Sequence, residues 1–322
     1  MSRTDSPFLA PVGRNERDPR RWLGWAGLTI VFVFMGAILL GFLLASLDAA
    51  ALVQGAGTPL PEGPRRLVDE AGLIFVLALS LAMLATAVLG AARISFARRA
   101  WTFVTPVRPF RGRLMLAGLV VFGALVVGSL AVERMLVGES LDPPVLDRDY
   151  AADARLIYLG AGALFLLLAA AAEEIVFRGV FLQLSGAFTR NAAALVIVNG
   201  LVFSALHLDP SPGAFTARAV SGAVWAWTVL RLGGIEFALG AHFANNLLLT
   251  TLVDPFSEGT QVGRDIPWPY IAGDVIVTLA AAAIVGAALR SERGRTWLAG
   301  SEGLSPPAAS AVGRPPSQDA GS

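Results

Sequence analysis

Apolar stretches of about 20 residues recur along the chain and constrain its fold more than any other feature. Each is long enough to cross a bilayer as a helix, the only single-segment structure that satisfies its own backbone hydrogen bonds in lipid. Eight such stretches are present, at 22–47, 71–92, 114–132, 156–184, 192–208, 214–231, 235–253 and 269–289. We therefore predict an all-α, polytopic integral membrane protein with about eight transmembrane helices. The sixth stretch is the weakest, because Gly222 interrupts it and Arg218 and Arg231 bound it.

Composition supports a membrane protein and excludes several kinds of site. Of the 322 residues, 55% are hydrophobic and 15% are charged, which is far too apolar for a soluble domain of this size. The chain has no cysteine, which excludes disulfides, cysteine-ligated metals and a thiol nucleophile. Segments 1–21 and 291–322 are rich in Pro, Ser, Gly and charge. We expect both to be disordered, on either side of a transmembrane domain at 22–290.

The placement of arginine predicts the orientation in the membrane. All 25 basic residues are Arg, which together with the abundant Ala and Gly indicates a GC-rich bacterial genome. Seventeen of them lie in segments on one side of the predicted helices and seven on the other. Because positively charged loops stay in the cytoplasm, we expect a plasma-membrane protein with both termini cytoplasmic. We expect the Arg-rich loop 93–113 to lie on anionic lipid headgroups and not to bind nucleic acid.

The fourth apolar stretch ends in AAEEIVFRG, which places three charged side chains at membrane depth. A charge there costs at least a few kcal/mol, so these groups need mutual compensation. Glu174 and Arg178 are four residues apart in the favourable order and can neutralise each other on one helix face. Glu173 lies about 100° around the helix and is free to point elsewhere. A structural ion pair therefore accounts for Glu174 and Arg178 but not for Glu173.

The fifth and seventh stretches carry the next polar groups. NGLVFSALHLDP places Asn199, Phe203 and His207 on one helix face, and GAHFANNLLL does the same for His242 and Asn246. Taken singly, such a histidine is usually interfacial, and such a His–Asn pair is usually a helix–helix contact worth about 1 kcal/mol. The chain has only two histidines, however, and both lie in these stretches. Since ionisable groups inside membranes are mostly functional, we interpret them as a polar pocket for catalysis or transport.

The groups in this pocket are suited to hydrolysis. A carboxylate and an imidazole can together take a proton from water, and a second imidazole with a carboxamide can stabilise an oxyanion. A serine hydrolase is disfavoured because Ser204 lacks a G-x-S-x-G context, and H-E-x-x-H is absent. The alternative class is a transporter or an immunity-type binding protein that uses the same pocket. No paired broken helices or repeated halves indicate a transporter.

The segments EEIVFR, FSALH and HFANN resemble, in order and spacing, the three motifs of the CPBP family of intramembrane proteases. That family groups CAAX proteases with bacteriocin-processing, Abi-like proteins. The resemblance covers about 155–253 and places the motifs on predicted helices 4, 5 and 7. It implies that Glu173 and His207 activate water, and that His242 and Asn246 hold the oxyanion.

The resemblance also assigns an orienting role to Glu174, Arg178 and Phe203. It implies an endopeptidase that cuts a peptide or a protein tail near the cytoplasmic face, in contact with membrane lipid. The eukaryotic relatives cut prenylated CAAX tails. We do not expect such tails to be the substrates of a bacterial protein.

The family is named for metalloproteases, but the residues leave the metal open. Glu173, His207 and His242 could hold Zn²⁺ with one position left for water. Equally, Glu and His could activate water with no metal. Asn246 is a poor zinc ligand and a good oxyanion donor, which slightly favours the metal-free interpretation.

The heights of two predicted catalytic residues appear mismatched along their helices. Counting residues places Glu173 toward the cytoplasmic end of its span and His207 toward the outer end of the next. The two can meet only if the fourth helix is long or tilted, or if the fifth begins below the membrane surface.

Overall fold

The computed structural model describes residues 4–46, 60–106, 109–137 and 143–299. Those residues form helices joined by turns, with no strand among them. We number the helices α1 (Pro19–Ser46), α2 (Arg66–Phe96), α3 (Gly112–Val137), α4 (Ala152–Ser185), α5 (Ala192–Ala205), α6 (Pro212–Leu232), α7 (Glu236–Leu252), α8 (Phe256–Gly259), α9 (Trp268–Arg290) and α10 (Glu292–Ala299). The prediction of an all-α protein is confirmed.

Five helices, α1 to α4 and α9, are long and apolar enough to cross a membrane. They expose large apolar side chains, such as Phe34 on α1 and Ile276 on α9, as a lipid-facing surface requires. The prediction of a polytopic helical membrane protein is therefore confirmed, but the count of eight spans is not. Helices α5 and α7 have 14 and 17 residues. Because α7 buries most of its residues among other helices, it needs no full-length apolar surface.

Loop contacts define two ends of the helix bundle. At one end, Arg111 donates from Nε and Nη2 to the buried Glu236 carboxylate at 3.0 and 2.8 Å. At the other end, Ser257 donates to Glu70 from its backbone N–H and its hydroxyl, at 2.8 and 2.5 Å. The first end carries the arginine-rich segments, and we call it the Arg-rich face. The second is the distal face. The cytoplasmic location of the Arg-rich face stays a prediction.

The segment 4–18 packs against the Arg-rich face, which corrects the expectation of a disordered N-terminus. Phe8 and Leu9 are fully buried there. The Ser6 hydroxyl donates to the carbonyl oxygen of Leu230 at 2.5 Å. A polar composition predicts weak packing on average, but burial of two adjacent large apolar side chains is enough to fasten this segment to the core. We call residues 4–18 the N-terminal strap.

The expected C-terminal disorder is also wrong for its first residues. Helix α10 begins at Glu292, and its Leu298 is buried. The carbonyl oxygen of Leu298 accepts a hydrogen bond from Arg111 Nη1 at 3.4 Å, so α10 lies on the Arg-rich face. The remainder of that expectation, over 300–322, and residues 1–3 lie outside the described residues.

Glycines allow close crossings between the helices that carry the motifs and their neighbours. Gly118 of α3 and Gly240 of α7 sit where a Cβ would overlap the backbone of the facing helix. Gly200 of α5 and Gly222 of α6 form a second crossing of this kind. Gly222, which weakened the sixth apolar stretch in the sequence, is therefore a packing position.

Helix α4 has 34 residues and contains two π-helical segments, Gly162–Leu166 and Ile175–Phe181. Glu173 lies 12 residues before its end at Ser185, and His207 lies 15 residues after the start of α5. At about 1.5 Å per residue, both are roughly 20 Å from the turn that joins α4 to α5. The apparent mismatch in height disappears because α4 is long and α5 is short.

Candidate active site

One carboxylate and two imidazoles converge where α4, α5 and α7 meet. Glu173 Oε2 lies 3.8 Å from His207 Nε2 and 3.9 Å from His242 Nε2. His207 follows the end of α5, where Leu208 adopts a left-handed conformation with φ of 55°. The side chains of His207, Glu173 and His242 are 30%, 13% and 5% exposed. The structure thus brings three of the four predicted catalytic groups into one pocket.

The other ring nitrogen of each histidine is held by an acceptor. His207 Nδ1 lies 2.7 Å from the carbonyl oxygen of Phe203, and His242 Nδ1 lies 2.9 Å from Glu174 Oε1. A carbonyl and an ionised carboxylate only accept, so each Nδ1 carries the hydrogen. In a neutral imidazole, Nε2 is then a bare lone pair. Glu173 Oε2 and the two Nε2 atoms would then be three hydrogen-bond acceptors that face one another. A proton on one of them, or a donor such as water between them, is needed to stabilise this arrangement.

Glu174 connects two of the predicted motifs. Its Oε1 accepts from Arg178 Nη1 at 3.0 Å and from His242 Nδ1 at 2.9 Å, and both Glu174 and Arg178 are fully buried. The expected ion pair with Arg178 is present. The second bond was not indicated by the sequence, and through it the same carboxylate also orients His242.

Aromatic rings surround Arg178. Its guanidinium carbon lies 4.1 Å from the ring centroid of Phe203 and 5.2 Å from that of Trp225. A desolvated cation–π contact stabilises such a group by about 2 kcal/mol. Phe203, predicted as an orienting residue, also packs its ring against that of His207, with centroids 4.7 Å apart.

Trp225 of α6 is a further residue of the site, which the motifs did not predict. Its indole stacks on the His242 ring, with centroids 4.6 Å apart and 27° between the planes. The signal was present, because Trp225 lies three residues after Gly222 and so on the helix face that approaches α5. A large aromatic residue one turn from a glycine at a helix crossing is expected to place its side chain between the two helices.

Asn199 fastens α5 to the π-helical part of α4. Its Nδ2 donates to the carbonyl oxygen of Phe177 at 2.9 Å. The same carbonyl accepts from the backbone N–H of Leu182, five residues later, as in a π-helical turn. Such turns are frequent at functional sites. Here the contact joins the residue next to Arg178 to the face of α5 that also carries His207.

Asn246 lies one turn after His242 on α7 and is partly exposed. Its Oδ1 accepts a hydrogen bond from Asn245 Nδ2 at 3.3 Å. With the oxygen used in this way, the NH₂ group of Asn246 remains as its donor. An amide in this state is suited to stabilising a negative oxygen.

The loop after His207 is anchored by Asp209. This carboxylate accepts from Arg218 Nη1 at 2.8 Å and from the backbone N–H groups of Ser211 and Gly263 at 3.0 and 3.2 Å. Burial alone would raise the pKa of Asp209, but these bonds lower it to about 2. The carboxylate is therefore ionised at physiological pH and holds the distal loop beside the site.

Glu173, His207 and His242 are the residues that would have to hold a zinc ion. A tetrahedral site with bonds near 2.1 Å places its ligand atoms about 3.4 Å apart. The separations of 3.8 and 3.9 Å are wider. No group of three His, Cys, Asp or Glu side chains within 4–46, 60–106, 109–137 and 143–299 is arranged to bind a metal ion. The described arrangement does not fit a zinc site.

Comparison with known proteins identifies the segment that contains the site. Residues 155–248 match the family model of the type II CAAX prenyl endopeptidase Rce1-like proteins. Over this segment the chain is similar to that family. It begins in α4 and ends in α7, so it includes all three motifs, and the resemblance to the CAAX-protease group is confirmed over this Rce1-like segment.

A curated relative is similar to the chain over 173 residues. The uncharacterized protein YyaK of Bacillus subtilis (strain 168) is 30% identical over 173 residues, which cover 52% of this chain and 55% of the relative. The chain therefore matches about half of that relative's length, and the relative's name assigns no activity. No solved structure matches the chain significantly.

Proposed function

We propose that this protein is an intramembrane endopeptidase that hydrolyses a peptide bond with water activated by Glu173 and His207. The observation that carries the proposal is the approach of Glu173 Oε2 to two histidine Nε2 atoms inside an apolar helical bundle. The Rce1-like match over 155–248 supports protease chemistry in general.

The attacking water would sit between Glu173 and His207. Their 3.8 Å separation can be bridged by one water with two hydrogen bonds of about 2.8 Å. Since both atoms accept, the water directs its hydrogens at them and its lone pairs at the substrate carbonyl carbon. As the new C–O bond forms, a proton passes from the water to Glu173. Glu173 then delivers it to the amine nitrogen as the C–N bond breaks.

His242 and Asn246 would stabilise the oxyanion of the tetrahedral intermediate. Because His242 Nδ1–H is used on Glu174, an N–H at Nε2 requires the imidazolium form. Glu173 and Glu174 then carry two negative charges, and Arg178 and His242 carry two positive charges.

Hydrolysis in water enriched in ¹⁸O tests this proposal. Reconstituted protein is incubated with a peptide library, and each new carboxyl terminus should contain one ¹⁸O atom by mass spectrometry. Glu173→Gln should lose this incorporation. Glu292→Gln makes the same chemical change at an exposed position of α10 and should retain it. Near-wild-type cleavage by Glu173→Gln would contradict the proposed role.

A further inference from the structure

Burial on α7 changes across the site. Residues 236–244, which begin at the Arg-rich face, are buried, 245–249 are partly exposed, and Thr250 and Thr251 are buried again. On α4, burial continues on both sides of Glu173, at 169–170 and 177–180. Because α7 runs away from the Arg-rich face, its partly exposed stretch lies on the distal side of His242.

The N-terminal strap fills the space on the other side of the site. His242 lies six residues after the start of α7, and Trp225 lies seven residues before the end of α6. The turn between these helices, at 233–235, is therefore only about 10 Å from the site, half the distance of the turn between α4 and α5. Phe8 and Leu9 of the strap pack into the same core cluster as Leu232 and Ile235, beneath this recessed turn.

Two buried ion pairs reinforce the same side. Arg111 and Glu236 are 8% and 0% exposed, and Arg98 and Glu16 are 10% and 2% exposed. Arg98 also donates from Nη2 to Gln183 Oε1 at 2.6 Å, which joins the strap to α4. A polypeptide that approached Glu173 from the Arg-rich face would have to displace the strap and separate these charges.

The residues on the distal side of the site are more exposed. His207 is the most exposed of the three converging groups, and it lies between Leu206 and Leu208, which are 62% and 81% exposed. Asp209 holds this loop in place. Exposed apolar side chains beside a partly open catalytic pocket are suited to the side chains of an extended peptide.

We infer that the site receives its substrate from the distal face. With the orientation that the arginines predict, the distal face is outside the cytoplasm. The substrate class is then an exported polypeptide, or the outer segment of another membrane protein, and not a cytoplasmic tail. This inference rests on the proposed endopeptidase function and replaces the expectation of cleavage near the cytoplasmic face.

Single cysteines can test the inference without background, because the chain has none of its own. Leu208→Cys places a thiol on the distal face, and Arg20→Cys places one at an exposed position of α1 beside the strap. A membrane-impermeant maleimide applied to intact cells should label Leu208→Cys, and should label Arg20→Cys only after permeabilisation. The reverse pattern would overturn the inferred side.

Activity gives the second arm of the experiment. In proteoliposomes, a bulky maleimide on Leu208→Cys should lower peptide cleavage at least tenfold relative to the same variant unlabelled, and on Arg20→Cys it should leave cleavage unchanged. Loss of cleavage on labelling Arg20→Cys alone would overturn the inference. Pro210→Cys, also exposed, repeats the test if Leu208→Cys folds poorly.

The two hypotheses fail in different ways. Labelling in cells reports the side of the membrane without any cleavage. Cleavage that persists in Glu173→Gln would contradict the proposed mechanism, but the labelling would still show on which side of the membrane Leu208 lies. Reversed labelling with normal Glu173-dependent cleavage would keep the chemistry and overturn the side from which the substrate comes.

Discussion

Polar groups differ in burial and ion pairing between the two halves of the bundle, the half toward the Arg-rich face and the half toward the distal face. In the first, Glu174, Arg178 and Glu236 are fully buried and ion-paired. In the second, the side chains of Glu173 and His207 are 13% and 30% exposed. Two adjacent carboxylates on α4 thus belong to different regions. Glu174 is ion-paired in the half toward the Arg-rich face, which we call the packed half, and in our proposal Glu173 activates water.

This comparison predicts its largest effect in the distal half, on activity alone. Glu173→Gln and His207→Ala should each lower kcat by about 10²–10⁴-fold, because each removes an acceptor of the attacking water. The double variant should be little worse than either single one, since the groups act as a unit. Melting temperatures in detergent should stay near the wild-type value. A double variant whose losses multiply would show that the two residues act independently.

In the packed half, Glu174→Ala should act mainly on folding. It leaves the buried Arg178 cation without its carboxylate, which costs about 3–5 kcal/mol. It also removes the acceptor of His242 Nδ1, so activity should fall as well. Chemical denaturation in detergent measures the first effect, and peptide cleavage measures the second.

The double variant Glu174→Gln with Arg178→Met is the control for this prediction. It should recover much of the stability, because neither charge is left unpaired and the amide oxygen can still accept from His242. The division between the two halves would be wrong if Glu173→Gln unfolds while Glu174→Ala is stable but inactive.

The strap gives a smaller effect. Phe8→Ala should destabilise the protein by about 3 kcal/mol, at the low end for a buried phenylalanine, because the strap can shift as a unit. Phe34→Ala makes the same change on α1, where the side chain is 67% exposed, and should have little effect on the melting temperature. Equal effects of the two substitutions would show that the strap does not support the packed half.

The smallest expected effect is that of metal removal. In the proposed mechanism Glu173 and His207 activate water without a metal. Exhaustive chelation should therefore leave peptidase activity unchanged. Elemental analysis of the purified protein accompanies the assay. One zinc per chain, with activity lost on its removal and restored on its return, would contradict the metal-free mechanism.

Much of the site could be predicted from local sequence patterns, but the contacts between residues far apart in the chain could not. The ion pair of Glu174 and Arg178 followed from a spacing of four residues, and the face shared by Phe203 and His207 followed in the same way. The bond from His242 to Glu174 joins residues 68 positions apart, and no local pattern encodes it. Trp225 was missed although it lies one turn after Gly222, because its contact with His242 depends on how α6 crosses its neighbours.

The sequence by itself determined the helical membrane class and the motif residues, because lipid makes each charge costly and so makes every intramembrane charge informative. Only the tertiary structure decided that Glu173 and His207 lie at one height, which depends on a long α4 beside a short α5. Only the tertiary structure, too, placed Phe8 and Leu9 in the core. A polar composition describes the average of a segment, whereas packing depends on whether a recess of matching shape lies within its reach.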